Sequence, residues 1–321
     1  MVTLSAERRR GMSLGIVACT TALSATACAT GGQATQAPPP SAAAVVDRVK
    51  KDPALHAELP AVIQQAGVVR VASDVPYPPF EMFTADGASG AGSLTGLDYD
   101  LGRAIGKRLG VRFAFTPHKF DGIVPAIHAG KYDAAMSAMT DTRERQRVLD
   151  FVDYSLSGTG LLVRQGNPTR IRELKDLCGR KVAAQAATNQ AALIRKSQSL
   201  CTTAHRAPIE LLTYPKDSDA QLALSSRKVD ASAVTKPAAG YIAKTVNRGT
   251  TFDLVEDPRA PGGYDATPNG IAVTKKLPAL TRVLRKALQS LIDDGTYTHI
   301  LDTYGVGSIG LRQATINAAK D

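Results

Sequence analysis

The chain has 321 residues, 44% of them apolar, with 39 Lys and Arg against 29 Asp and Glu, a net charge of +10, four Cys and no Trp. At about 100–200 residues per domain this is two domains or one large one, and 21% charged residues beside that apolar share excludes wholesale disorder and fibrous repeats. The basic residues are spread along the chain without an aromatic–basic cluster, which argues against nucleic acid as a partner.

Arg8, Arg9 and Arg10 precede an apolar, small-residue stretch, Gly11 to Ala27, that ends in Ala25-Thr26-Ala27-Cys28. That is the layout of an export signal over residues 1–27. Cys28 resembles the lipidated Cys of a bacterial lipoprotein box, with Ala25 where Leu is usual; Cys19, after Ile16-Val17-Ala18, is the rival with a shorter apolar core. Cleavage before Cys28 removes three Arg and Glu7, which lowers the net charge from +10 to +8. Ala29 to Ser41 is rich in Gly, Pro and Ala and reads as a flexible tether. Two lipid chains on one Cys would hold the protein firmly to the membrane; a plain secreted protein with the same signal is the alternative.

Val68–Ala72 is a strand ending at Asp74 and the turn Pro76-Tyr77-Pro78-Pro79. Leu97, Leu101, Ile105 and Leu109 form a helical stripe, with Asp98 placed to cap its start and Gly110 to stop it. A strand at Val111–Thr116, a helix through Ile123, Val124 and Ile127, and a strand at Asp133–Met139 follow. The rhythm resumes with strands at Gly160–Arg164 and Val182–Gln185, a helix from Thr188, and a strand at Leu211–Thr213. Asp217 or Ser218 caps a helix over Ala220–Ser226, and a strand at Val229–Val234 leads into a helix begun by Pro237. The last long helix, Pro278–Asp293, carries Leu280, Val283, Leu284, Ala287, Leu288 and Leu291 on one face. Such alternation means a parallel-rich α/β sheet with helices on both faces. Cys178 and Cys201, without CxxC or His spacing for zinc, most simply form a disulfide in an exported protein, two buried thiols being the alternative.

Ligands of such sheets bind beyond the carboxyl ends of the strands. Asp74, Tyr77, Phe120, Thr140, Arg145, Thr188 and Thr235 fall there, giving one fixed cation, several hydroxyls and two aromatic faces. A guanidinium on a loop clamps a carboxylate, and Thr at helix starts adds donors. Taken singly, each is as well explained as a cap, a surface Arg or a core Phe.

The combination is more specific. The runs VRVASDVPYPPFEM, GLDYDLGRAIGKRLGVRFAFTP, FDGIVPAIHAGKYD, MSAMTDTRERQRVLDFVDYS, SSRKVDASAV and LQSLIDDGTYTHILDTYG, in this order, resemble the amino-acid type (family 3) solute-binding proteins of ABC importers, from about Val68 to Gly305. The resemblance implies a two-lobed periplasmic-binding-protein-like fold, each lobe a parallel-rich sheet flanked by helices, joined by a two-stranded hinge and closing on ligand. It implies lobe 1 at 68–156 plus 269–307, lobe 2 at 161–265, a tether and N-terminal extension over 28–66, and a C-terminal tail over 308–321. It assigns the ligand α-carboxylate to Arg145 with Thr140 beside it, the flanking aromatics to Tyr77 and Phe120, the ligand side chain to Asp74, and the closing loop to Thr188. A membrane-anchored monomer outside the cytoplasm, handing a carboxylate-bearing solute to a permease without any cofactor, is the expected working unit.

One departure concerns the ligand ammonium. The family's strand end usually carries an Asp where this chain has Thr235, so either another acid, Asp74 or Asp265, meets the ammonium or the ligand is not an ordinary α-amino acid. An enzyme on the same scaffold, of the cyclohexadienyl-dehydratase kind, would need Asp74 or His118 as acid or base, and the chain carries no metal motif, nucleophile elbow or phosphate loop. A surface sensor or adhesive module is the remaining alternative.

Overall fold

The computed structural model describes residues 41–84 and 91–319. The expected signal over 1–27, Cys19, Cys28 and the tether up to residue 40 lie outside them. From Ser41 the N-terminal extension is helical: α1 (Ala42–Arg48), α2 (Pro53–Ala57) and α3 (Ala61–Ala66). Ser41 and Asp52 cap the first two; Asp52 accepts from Ala54 N at 2.8 Å and Leu55 N at 3.1 Å. These helices are five to seven residues long, too short to show a periodic stripe, so they were not legible as helices.

The first half of the fold continues with β1 (Val68–Ser73), the short pair β2 (Met82–Phe83) and β3 (Leu94–Thr95), α4 (Leu97–Leu109), β4 (Arg112–Pro117), α5 (Phe120–His128), β5 (Ala134–Ala135) and α6 (Arg143–Gln146). Then come β6 (Leu149–Arg164), β7 (Lys181–Gln185), α7 (Asn189–Lys196), α8 (Gln198–Thr203), β8 (Glu210–Tyr214), α9 (Asp217–Ser225), β9 (Ala231–Thr235), α10 (Lys236–Thr245) and β10 (Phe252–Leu254). The chain returns through β11 (Tyr264–Thr274), α11 (Pro278–Asp293), α12 (Thr296–Thr303) and β12 (Gly310–Ile316).

The sheet path is β4-β1-β5-β11-β6-β9-β7-β8. Parallel β4-β1-β5 stand on one side and parallel β9-β7-β8 on the other. Between them β6 and β11 run antiparallel, paired from Thr274↔Leu149 to Tyr264↔Thr159. They are the two strands that link the halves. They cross closely at Gly158 and Gly263, where a Cβ on either residue would collide with the other's backbone. Helix α11 buries the leucine and valine face read from its periodicity completely, each such side chain contributing about 2 kcal/mol by removal from water. Among the described residues no helix is long and apolar enough to cross a membrane. Buried Cys178 and Cys201 form the expected disulfide.

Several local expectations are corrected. Asp98 does not cap α4: Gly96, at φ +122°, holds that position because a side chain there would strike Phe80 O, and Asp98 turns inward, fully buried. The strand expected at Asp133–Met139 stops at Ala135, and the chain bends through Ala138 at φ +41°. Helix α9 begins at Asp217 without a side-chain cap, Asp217 instead being buried. The strand expected from Val229 begins at Ala231. The segment expected as a tail over 308–321 contains β12, which pairs with β6 at Thr315↔Asp153 and Ile316↔Val152. Its hydrogen bonds depend on a free edge of β6 that only the assembled sheet provides.

Candidate functional site

The carboxyl ends of the parallel strands from both halves meet at one place, as expected for an open α/β sheet. Asp74 and Tyr77 follow β1, Phe120 opens α5, and Ser137, Ala138 and Thr140 follow β5; from the other half come Gln185 at the end of β7, Thr188, Asn189 and Gln190 at the start of α7, and Thr235 at the end of β9. They enclose a cavity of about 20 Å³, room for roughly one water. Six of the seven residues expected from the sequence line it.

The seventh, Arg145, lies at its rim, half-buried, with its guanidinium 5.4 Å above the Phe120 ring. Nη1 donates to Thr140 O at 2.7 Å and Nη2 donates to Ala187 O, across the gap, at 2.9 Å. Burial pulls its pKa down to about 10, opposed by the charges of Glu144 and Asp141, so it remains a cation at neutral pH. Its partners are two neutral carbonyls. A carboxylate reaching this position would replace neutral acceptors by a charged one that the guanidinium fork can grip with two parallel hydrogen bonds.

Two further contacts join the halves. Gln185 Nε2 donates to Asp74 Oδ2 at 2.5 Å and to Pro215 O at 3.1 Å. Tyr77 Oη lies 2.7 Å from Thr235 Oγ1 and accepts from Thr235 N at 3.0 Å. Burial first, then the negative charge of Asp217, raises the pKa of the Tyr77 hydroxyl far above its ordinary value. Thr188 serves α7 as its cap, accepting from Ala191 N at 3.2 Å, while its hydroxyl donates to Gln185 O at 2.7 Å. Thr188 therefore both caps α7 and lines the cavity. Thr140 bridges to Asn269, whose amide donates to Ser157 Oγ on β6 at 2.7 Å, linking the pocket floor to the crossing strands.

The electrostatic signature of the site is acidic. Asp74 is 8% exposed, and burial raises its pKa, opposed by the Gln185 hydrogen bond and by the charges of Lys216 and His118. Asp217, on the other half and 4% exposed, does not line the cavity; burial pushes its pKa up to about 6, with the Asp74 charge adding and the Gln221 hydrogen bond opposing. The hydrogen-bond partner of each carboxylate is a neutral amide, Gln185 for Asp74 and Gln221 for Asp217. A cation placed between two such carboxylates would lower both pKa values and recover part of their desolvation cost.

Asp265, the other acid considered for the ligand ammonium, is exposed and lies outside the pocket. His118, considered as an acid–base group, is also outside it and packs edge-on against Tyr132 with centroids 5.4 Å apart. Sequence reasoning missed Ser137, Ala138, Gln185, Asn189 and Gln190 as pocket residues and treated Asp217 as a cap. Ser137 and Gln185 follow strand ends, so the strand-end rule reaches them; the burial of Asp217 has no sequence signal.

The chain matches the family described as bacterial extracellular solute-binding proteins, family 3, over residues 69–307. An arginine-binding protein of Corynebacterium glutamicum is 30% identical over 266 residues, which cover 83% of each chain. Among solved structures, an ancestral arginine-binding protein bound to arginine superposes with a TM-score of 0.64 and 32% identity, covering 74% of this chain and 98% of that one. An ancestral amino-acid-binding protein, a precursor of cyclohexadienyl dehydratase, gives a TM-score of 0.61 and 29% identity over 76% of this chain and 97% of that one.

Proposed function

Because the chain belongs to the bacterial extracellular solute-binding proteins of family 3, we propose that it captures a cationic amino acid between its two halves and delivers it to the permease of an ABC importer. Lobe 1 is residues 68–156 plus 269–307 and lobe 2 is 161–265, with β6 and β11 as the hinge. Arg145 and Thr140 take the ligand carboxylate, Tyr77 and Phe120 flank its side chain, and Thr188 closes over it. Asp74 and Asp217 receive the positive charge, the work for which Thr235 lacks a carboxylate. Cys28 carries the lipid that keeps the protein at the outer face of the membrane, and the protein performs no chemistry on its ligand.

The observation that carries this reading is the pair of buried carboxylates on opposite halves, each with a neutral amide as its hydrogen-bond partner among the described residues, beside an arginine already poised on two carbonyls. The arginine-binding relative supports the same ligand class. Titration calorimetry with arginine, lysine, ornithine, histidine, leucine and glutamate tests it. The cationic members should bind and glutamate should not. Tightest binding of glutamate, or heat from none of the panel, would overturn the proposal.

A further inference from the structure

Behind the pocket wall lie two buried acids that ligand binding leaves unused. Glu81 and Asp98 are 2% and 0% exposed, on the turn after β1 and in the first turn of α4. Their carboxyls are close enough to shift each other, and burial first raises both pKa values, that of Glu81 much further. Two ionised carboxylates are acceptors only and cannot bond each other. Ionised, the pair would leave both Glu81 oxygens and Asp98 Oδ1 without a donor in the protein interior, a costly arrangement. One proton between them resolves this.

The surrounding donors say which group holds it. Asp98 Oδ2 accepts from Ala138 N at 2.8 Å, whereas neither Glu81 oxygen has a donor among the described residues. A donor on Asp98 favours its charged form. Ser137, beside Glu81, accepts at its hydroxyl from Asp74 N at 2.9 Å. The bond that ties the acidic pair to the pocket therefore runs from Asp98 to Ala138 N. Ala138 lines the pocket and stands at φ +41°, a left-handed conformation that residues with a Cβ seldom adopt.

We propose that Glu81 is a protonated donor to an ionised Asp98, and that Asp98 is a positioning residue for ligand binding: it holds the Ala138 N–H so that the chain bends and aims Ser137 and Thr140 into the pocket. The consequence for affinity rests on the pocket being the amino-acid site; the bonding itself does not.

The test compares Asp98→Ala, Glu81→Gln, Ala138→Gly and Asp98→Ala with Ala138→Gly, in the full chain. Gln at 81 keeps a donor to Asp98, so Glu81→Gln should bind arginine within about twofold of the parent, whereas Asp98→Ala should weaken binding about tenfold or more. Glycine takes the left-handed conformation freely, so Ala138→Gly should restore most of the affinity lost in Asp98→Ala. A role confined to the core would give no such rescue. Two readouts need no ligand. Hydrogen exchange at the Ala138 amide should be slow in the parent and Glu81→Gln and fast in Asp98→Ala. The infrared carbonyl band of a protonated carboxyl at pH 7 should weaken in Glu81→Gln relative to the parent, a result that stands even if Asp98→Ala does not fold. An unchanged carboxyl band, unchanged Ala138 exchange in Asp98→Ala, or absence of rescue overturns the proposal. A parent protein that binds no amino acid would refute the functional reading instead, and the band and exchange measurements would still decide this one.

Discussion

Replacing Asp74 by Asn separates the charge of the pocket from its shape. Asparagine keeps an oxygen that can accept from Gln185 Nε2, so the 2.5 Å bond across the gap has a neutral successor. What disappears is a buried negative charge 8% exposed to solvent. A unit charge about 4 Å from a ligand cation contributes about 4 kcal/mol at an effective dielectric near 20. Measured losses on removing one member of a buried pair are about 3–5 kcal/mol, so arginine should bind Asp74→Asn between about 150-fold and 4,000-fold more weakly. The ligand-free protein should behave oppositely. Burial raises the Asp74 pKa in the fold, so the ionised carboxylate is a destabilising element at neutral pH, and Asn should leave the melting temperature unchanged or raise it. Calorimetry with arginine and leucine, beside thermal unfolding of both proteins, reads both effects. Arginine affinity within about threefold of the parent, or a loss of affinity accompanied by an equal loss of stability, would refute the reasoning.

Asp217 sets the pH dependence of ligand capture: its pKa of about 6 must fall when a cation binds, so arginine affinity should be level above neutrality and decline as pH drops through 6, and Asp217→Asn should flatten that decline in calorimetry at several pH values. Asp153, buried on β6 and bonded by Thr315 Oγ1 and Ala318 N, has its pKa raised from 3.8 to about 7, by burial first and then by the Asp141 charge. The folded state therefore holds a proton that the unfolded chain releases above 3.8. Asp153 should lower the unfolding free energy as pH rises from about 4 to about 7, by up to about 4 kcal/mol; urea melts of Asp153→Asn should show a shallower slope than the parent over this range, and a slope retained in full would exclude Asp153 as a source. Replacing both Cys178 and Cys201 by Ser opens a link between residues 23 apart and should cost about 2–4 kcal/mol in urea unfolding, with little change in arginine affinity because neither residue lines the pocket.

The regular elements and the site residues were legible to different degrees. Helices α4 and α11 could be read because an apolar stripe repeated over several turns has one way to bury itself, and Gly110, at φ +65°, stops α4 where expected. Short helices α1 to α3 and strand β12 carry too few residues for a period to stand out. Asp98 and Asp217 show the limit most plainly. An Asp at the start of a helical pattern ordinarily caps it, and both were read that way; both instead lie inside the protein, where Ala138 N meets one and Gln221 the other.

Local sequence determined the alternation of strands and helices, the family pattern over 69–307, and the loops from which the pocket is drawn, because hydrophobic periodicity and turn chemistry act over a few neighbouring residues. The tertiary structure alone decided which loops meet. Asp74 and Gln185 are 111 positions apart and Tyr77 and Thr235 are 158 apart, and their contact depends on how β6 and β11 cross. It also decided the chemical state of the acids, since burial and a neighbouring carboxylate, rather than residue type, determine whether an Asp or Glu keeps its proton.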